Sequence, residues 1–347
     1  MSACLLQAID LSIGYPMRRR GRHSARVVAQ HIHATLQTGE LVCLAGPNGA
    51  GKSTLLRTLC GLQPPLAGQV LMQGRDIRAF SPRALAQTLS LVLTDRVDAG
   101  NLSVFDLVLL GRHPFTNWLG HVTARDERAA WQALEAVGIT HLAQRPLREI
   151  SDGERQKTML ARALAQEPRI LILDEPTAFL DLPHRIQMLE LLRKLAHDSP
   201  PHTVALSTHD LDLALRVADV IWLLPAGGPL QTGAPEDLAL SGALDVTFGR
   251  DNIHFDRESG AFRQHAQPVA SATVIGQGIY ALWTQRALER LGFTIQRNAP
   301  VQVALLHKHH QVRWRLCADR HQVECASIYE LSQAVKHLLQ INAIPHP

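Results

Sequence analysis

Short apolar runs alternate with longer stretches of helical period over the first 240 residues or so. The runs at residues 41–44, 90–93, 170–173, 203–207 and 220–224 have the length of buried strands, and the gaps between most of them are long enough for a crossover helix. This pattern predicts an α/β fold around a largely parallel sheet. Between about 100 and 165 the runs stop and helical period takes over at 104–110, 124–137 and 154–165, so a helical subdomain is expected to interrupt the sheet domain. Turn signals at 225–229 and 232–235 and a polar, irregular stretch at 251–267 place a linker over 241–270. Beyond it the pattern restarts. Strand-like segments at 272–275, 301–306, 312–317 and 323–326, with helices at 279–291 and after Ile328, predict a small second α/β domain over 271–347. Its clearest strand alternates Val312, Trp314 and Leu316 with Arg313 and Arg315, and its last helix carries Ile328, Leu331, Val335 and Leu338 on one face.

The first apolar run leads straight into Gly46, Pro47, Asn48, Gly49, Ala50, Gly51, Lys52, Ser53 and Thr54, a complete P-loop ahead of a helix-forming stretch. Glycines there let backbone N–H groups converge on a polyphosphate, and the helix N-terminus adds positive potential. Lys52 is suited to reach the β- and γ-phosphates, and Ser53 offers a hydroxyl to Mg²⁺. Such a loop marks a nucleoside triphosphate site but leaves kinase, GTPase and ATPase open. The run at 170–173 ends in Asp174 and Glu175, at the strand terminus where α/β sheets place ligands. Asp174 is suited to hold Mg²⁺, and Glu175 to orient the water that attacks the γ-phosphate. Upstream, Ser151 with Glu154 reads as a capping box that starts a helix.

Composition narrows the class. The chain has 347 residues, 46% hydrophobic and 19% charged, with no apolar stretch near the roughly 20 residues needed to span a bilayer. The first residues lack a basic segment followed by a long apolar core, so no secretory signal is expected and the cytoplasm is the default compartment. Five scattered cysteines without paired spacing argue for reduced thiols, several of them buried. A net charge of +4 is too mild to call for nucleic acid as a partner. Locally, Arg18, Arg19, Arg20, Arg22 and Arg26 form a basic run that reads as a solvated loop, or as a contact for anionic headgroups or nucleotide. In the tail, His307, His309 and His310 read as a solvated turn rather than a metal site, because His309 and His310 would point to opposite sides of a strand, and Gly276 with Gly278 is too short a fragment for a nucleotide site.

The order and spacing of the P-loop, the Ser151–Gly153 turn, the Asp174–Glu175 pair and His209 resemble those of ATP-binding cassette (ABC) ATPases, over about residues 1–240. The resemblance implies that Ser151 and Gly153 contact the γ-phosphate of ATP bound to a second copy. It further implies that Asp174 and Glu175 are the metal-binding and catalytic carboxylates, Asp181 belongs to the D-loop, His209 reaches the γ-phosphate, and Tyr15 stacks on adenine. Two departures stand out. Threonine, Thr94, followed by Asp95, occupies the place of the usual glutamine that touches Mg²⁺, and Asp152 replaces the commoner glycine of the signature, adding charge beside a phosphate. Residues 102–115 resemble the ATPases of iron-siderophore, haem and cobalamin importers, although Val104, Leu107, Val108 and Leu110 also read as core. The implied protein is an ATP- and Mg²⁺-dependent motor, paired with itself beneath transmembrane permease subunits at the cytoplasmic face of the inner membrane, and served indirectly by a substrate-binding protein. A soluble non-transport ABC ATPase and a weakly hydrolysing nucleotide-binding regulator are the alternatives.

Overall fold

A computed structural model describes residues 4–19, 22–94, 101–117, 120–249, 253–257, 259–264, 269–308, 311–319 and 321–340. They form two compact units, residues 1–263 and 264–347.

The first unit opens with two long strands, β1 (Cys4–Arg19) and β2 (Arg22–Gln37), followed by β3 (Leu41–Ala45), α1 (Lys52–Leu59), β4 (Ala67–Met72) and β5 (Arg75–Asp76). Then come α2 (Pro82–Ala86), β6 (Leu89–Val92), α3 (Val104–Leu109), α4 (Ala124–Ala136), α5 (Asp152–Ala165) and β7 (Ile170–Leu173). It closes with α6 (Leu182–His197), β8 (Thr203–Ser207), α7 (Leu211–Val217), β9 (Val220–Leu223), β10 (Gln231–Gly233), α8 (Pro235–Ser241), α9 (Ala243–Phe248), β11 (Ile253–Asp256) and β12 (Ala261–Gln264).

Five of these strands build a parallel sheet in the order β9-β3-β8-β7-β6, with β10 added antiparallel at the β9 edge. Both faces are covered, which is why its strands are apolar almost throughout, with Ser90, Thr203 and Ser207 as buried hydroxyls. Leu41, Cys43, Leu171, Leu173, Val204 and Leu206 enter one core with the helical subdomain, while the alternate residues Val42, Leu44, Ile170, Ile172, Ala205 and Trp222 enter a second core. That second core is roofed by an antiparallel sheet, β2-β1-β4-β5.

Two findings differ from expectation, and a third meets it for most of its residues. The basic run is not a loop: Arg18 and Arg19 lie in β1 and Arg22 and Arg26 in β2, paired in an antiparallel hairpin, and Arg20 is outside the described residues. The stretch from 241 carries α9, β11 and β12, with Leu244 and Phe255 in the first core and Phe262 packed against it. It is part of the first unit and not a linker, because its few aromatic residues pack edge-on, Phe262 against both Phe248 and Phe255. Of the apolar face at 104–110, Val104, Leu107 and Val108 are buried as core, but Leu110 is exposed.

A buried ion cluster ties the helical subdomain together. Arg112, 1% exposed, donates from Nε to Asp126 Oδ1 (3.0 Å) and from Nη1 to the Ala165 carbonyl (2.7 Å) and Glu167 Oε2 (2.8 Å), with its guanidinium 4.0 Å from the Phe115 ring centroid. Asp126 also closes the capping box of α4 with Thr123.

The second unit contains β13 (Ala270–Ile275), α10 (Ile279–Arg290), β14 (Phe293–Ile295), β15 (Val301–Lys308), β16 (Gln311–Ala318), β17 (His321–Cys325) and α11 (Ile328–Gln340). They give a five-stranded sheet, β14-β13-β15-β16-β17, with a core of Val301, Val303, Trp314, Leu316, Leu331, Val335 and Leu338. The Trp314 indole N–H donates to Thr284 Oγ1 at 2.7 Å, satisfying a buried donor. His307 lies on β15, whereas His309 and His310 are outside the described residues.

Among the described residues no helix is long and apolar enough to cross a membrane. All five cysteines are free, and burial, with Asp219 adding to it, pushes the Cys43 thiol up to about 12. Burial raises Cys60 as well, with Asp174 nearby. Native protein is therefore expected to label quickly at exposed Cys4 and to protect Cys43, Cys60 and Cys325 until denaturant is added, read by alkylation and peptide mass spectrometry.

Candidate nucleotide site

The P-loop joins the C-terminal end of β3 to α1, and two of its glycines, Gly46 and Gly51, are dictated by close approach. A Cβ at Gly46 would lie 2.3 Å from the Leu224 carbonyl oxygen, and Gly51, with φ +105°, would place one 2.5 Å from Val28. Gly46→Ala is thus expected to push the loop off β9's end and weaken ATP binding by more than about tenfold, read by titration with a fluorescent ATP analogue. Wild-type affinity in a variant with an unchanged melting curve would contradict this.

Lys52 is 6% exposed and is folded over the loop, donating from Nζ to the carbonyls of Gly46 (2.8 Å) and Pro47 (3.3 Å). Burial lowers its pKa, and the carboxylates of Glu175 and Asp174 oppose that shift. Ser53 Oγ donates to Asp174 Oδ1 at 3.1 Å. Asp174 and Glu175 follow β7, whose neighbour β8 delivers Ser207, Thr208 and His209 to the same edge of the sheet. His209 Nε2 contacts Glu175 Oε1, so imidazole and carboxylate hold one another. Tyr15, 45% exposed, hydrogen-bonds through its hydroxyl to Thr54 Oγ1 at 3.0 Å and so stands at the start of α1 with its ring open to solvent. Thr94 lies at the same edge, and its hydroxyl donates to the Asp174 carbonyl at 2.8 Å. Its proton is committed to the backbone, leaving oxygen lone pairs as what it can offer a cation. Asp95 is outside the described residues.

The sequence-derived residues therefore fall into two groups. Ser53, Thr94, Asp174, Glu175 and His209 are joined by hydrogen bonds at the end of the parallel sheet, Tyr15 bonds Thr54 in the first turn of α1, and Lys52 bonds Gly46 and Pro47 within the loop, where it feels the charge of both carboxylates. Ser151 and Gly153 stand apart at the N-terminus of α5. Ser151 makes a full capping box with Glu154, and a Cβ on Gly153 would meet the His184 ring at 3.3 Å. That ring is held by Asp181, which caps α6 and contacts His184 Nδ1 at 2.5 Å. Asp152 shares a narrow cleft with Thr94 and Phe179.

One participant was not picked out from sequence, Ser207. It is wholly buried, donates to Asp174 Oδ1 at 2.7 Å and accepts the Glu175 N–H at 2.9 Å. The available signal was a buried-strand hydroxyl at the C-terminal end of β8, two residues before His209.

An anion cradle with a covering lysine, and a hydroxyl–carboxylate pair beside it, is built for a triphosphate. Comparison with known proteins decides which kind. Residues 29–178 match the family described as ABC transporter, and residues 270–336 match the iron ABC transporter C-terminal domain. The ferric enterobactin transport ATP-binding protein of Escherichia coli is 35% identical over 252 residues, covering 72% of this chain and 88% of that protein. The chain belongs to the ABC transporter ATP-binding proteins. The cobalamin import ATP-binding protein of Halobacterium salinarum is 37% identical over 283 residues, 79% of this chain and 70% of its own length. Among solved structures, a chain of a transporter described as metal-chelate type, in an inward-facing conformation, superposes with a TM-score of 0.61 at 28% identity, covering 76% of this chain and 96% of that one. This ABC subunit is accordingly an ATPase of the cassette fold, with a further α/β domain after it.

Proposed function

We propose that this subunit works as one of two copies that power an ABC importer for a ferric siderophore or a related metal chelate such as cobalamin. The observation that carries the reading is the network at the end of β7 and β8, which gathers Ser53, Asp174, Glu175 and His209 beside the phosphate loop. The cargo class rests on the matched iron-transporter C-terminal domain and on relatives whose names specify enterobactin and cobalamin.

In this reading, glycine N–H groups and Lys52 bind the β- and γ-phosphates, and the Tyr15 ring stacks on the base. Ser53 and Asp174, with Thr94 at their side, are hard oxygen donors that suit Mg²⁺. When bound, that ion neutralises charge on the phosphates. Glu175 takes the proton of the attacking water, and His209 keeps the carboxylate aimed and the γ-phosphate held. A single chain leaves the far side of the phosphate open. Ser151, Gly153 and the free N–H groups of α5 complete the grip from the partner copy, and opening after hydrolysis drives the permease. Residues 1–263 act as the motor and 264–347 as an accessory unit. The complex sits at the cytoplasmic face of the inner membrane, with permease subunits above it and a binding protein delivering the cargo.

Two measurements test this. Specific ATPase activity should rise with protein concentration at low concentration, because only the pair is complete. The subunit isolated from detergent-solubilised membranes should bring a polytopic permease with it in equal numbers. Activity independent of dilution, in a subunit that leaves membranes alone, would overturn the proposal.

A further inference from the structure

Glu175 has φ +51°, in the left-handed region that a residue with a Cβ adopts only when its surroundings hold it there. The holding group is Ser207. Its Oγ accepts the Glu175 N–H at 2.9 Å, and its own proton goes to Asp174 Oδ1 at 2.7 Å. One hydroxyl thus fixes the backbone that aims one carboxylate and the rotamer of the other. Its position is itself rigid. Ser207 ends β8 at a depth of zero exposure, Leu206 pairs with Leu173 of β7, and the next N–H, from Thr208, is bonded to the Leu44 carbonyl of β3 at 3.1 Å. Ser53 is the other hydroxyl on Asp174 Oδ1, and it is the one that a bound cation would draw away. Ser207 belongs to β8 and not to the phosphate loop, and it keeps its bond.

We propose that Ser207 is a positioning residue for hydrolysis, whose hydroxyl sets the metal-holding carboxylate of Asp174 and the water-orienting carboxylate of Glu175 together. The inference rests on the roles proposed above for those two acids. Removal of a group that orients a metal-holding or catalytic carboxylate costs about 10–100-fold in metal affinity or activity.

Two variants separate this role from packing. Ser207→Ala removes the hydroxyl, whereas Ser207→Cys fills the same space with a weak donor and acceptor. Both are expected to lower kcat by about 10–100-fold and to raise the Mg²⁺ concentration for half-maximal activity about tenfold, with KM for ATP changed far less. Amide exchange supplies a readout without nucleotide, metal or turnover. In the metal-free full chain the Glu175 N–H should exchange at least about tenfold faster in Ser207→Ala than in wild type, because its acceptor is gone. A Ser207→Cys variant with wild-type kcat and Mg²⁺ dependence would reduce Ser207 to a space-filler and overturn the proposal. So would unchanged Glu175 exchange in Ser207→Ala. If Ser207→Ala does not fold, the cysteine variant carries both measurements. A wild-type chain without ATPase activity would instead defeat the functional reading, and the exchange experiment would still decide what Ser207 does.

Discussion

Glu175→Gln is expected to lower kcat for ATP hydrolysis by about 10²–10⁴-fold while leaving ATP binding almost intact, the span usual for losing a positioned general base. The amide is close to the carboxylate in shape, so the left-handed turn at 175 and its bond to Ser207 persist. What changes is chemical: an amide cannot take the proton from water, and its contact with His209 Nε2 loses the charge that now holds that ring. Because the γ-phosphate is no longer cleaved, the variant with saturating Mg-ATP should accumulate as a closed pair. Light scattering after gel filtration reads this as a doubling of mass relative to the nucleotide-free protein. A variant that hydrolyses at the wild-type rate would remove Glu175 from the chemistry. A variant that stays monomeric would remove the shared site, and with it the assignment of Ser151 and Gly153 to a partner's phosphate.

Parts of the architecture that depend on local pattern were legible before any coordinates. The parallel strands at 170–173 and 203–207 are observed with those limits, since a strand buried on both faces shows a short, mostly apolar run and turn signals bound it. The capping box at Ser151 starts α5 for the same local reason. What escaped was carried by long-range pairing. In the roofing sheet, β4 buries only Val70 and Met72, so it shows no run to notice, and its partners on β1 lie some sixty residues earlier in the chain. The hairpin at 253–264 hides in a polar stretch because a few aromatic residues do its packing. Ser207 illustrates the same limit within the site. Thirty-three residues separate it from Asp174, and only the adjacency of β7 and β8 makes them neighbours. A P-loop is contiguous and announces itself; a serine that orients a carboxylate across two strands does not.

The largest effect on stability is expected at Arg112, which bonds none of the nucleotide-site residues. Truncating it to alanine leaves Asp126, 4% exposed, with a buried charge and no guanidinium, and strips a donor from the Ala165 carbonyl at the end of α5. Breaking a buried pair from one side costs about 3–5 kcal/mol. At roughly 2–4 °C per kcal/mol for a domain of this size, Tm should fall by about 10 °C, measured by differential scanning calorimetry. Arg112→Lys should recover only part, since one ammonium cannot reach acceptors that the guanidinium meets in different directions. The pH dependence follows from the same group. Burial pushes the Asp126 carboxyl up, but the Thr123 hydroxyl and N–H and the Arg112 guanidinium outweigh it and hold the pKa below the usual carboxylate value. A carboxyl depressed in the folded state stabilises fully above its unfolded pKa, near 4, and loses that contribution as pH falls below it. Wild-type Tm should therefore drop, as pH falls below about 4, more steeply than that of Asp126→Asn, which has no proton to take up there. Parallel acid slopes in the two proteins, or an Arg112→Ala variant that melts with the wild type, would show that the subdomain is held by its apolar core alone.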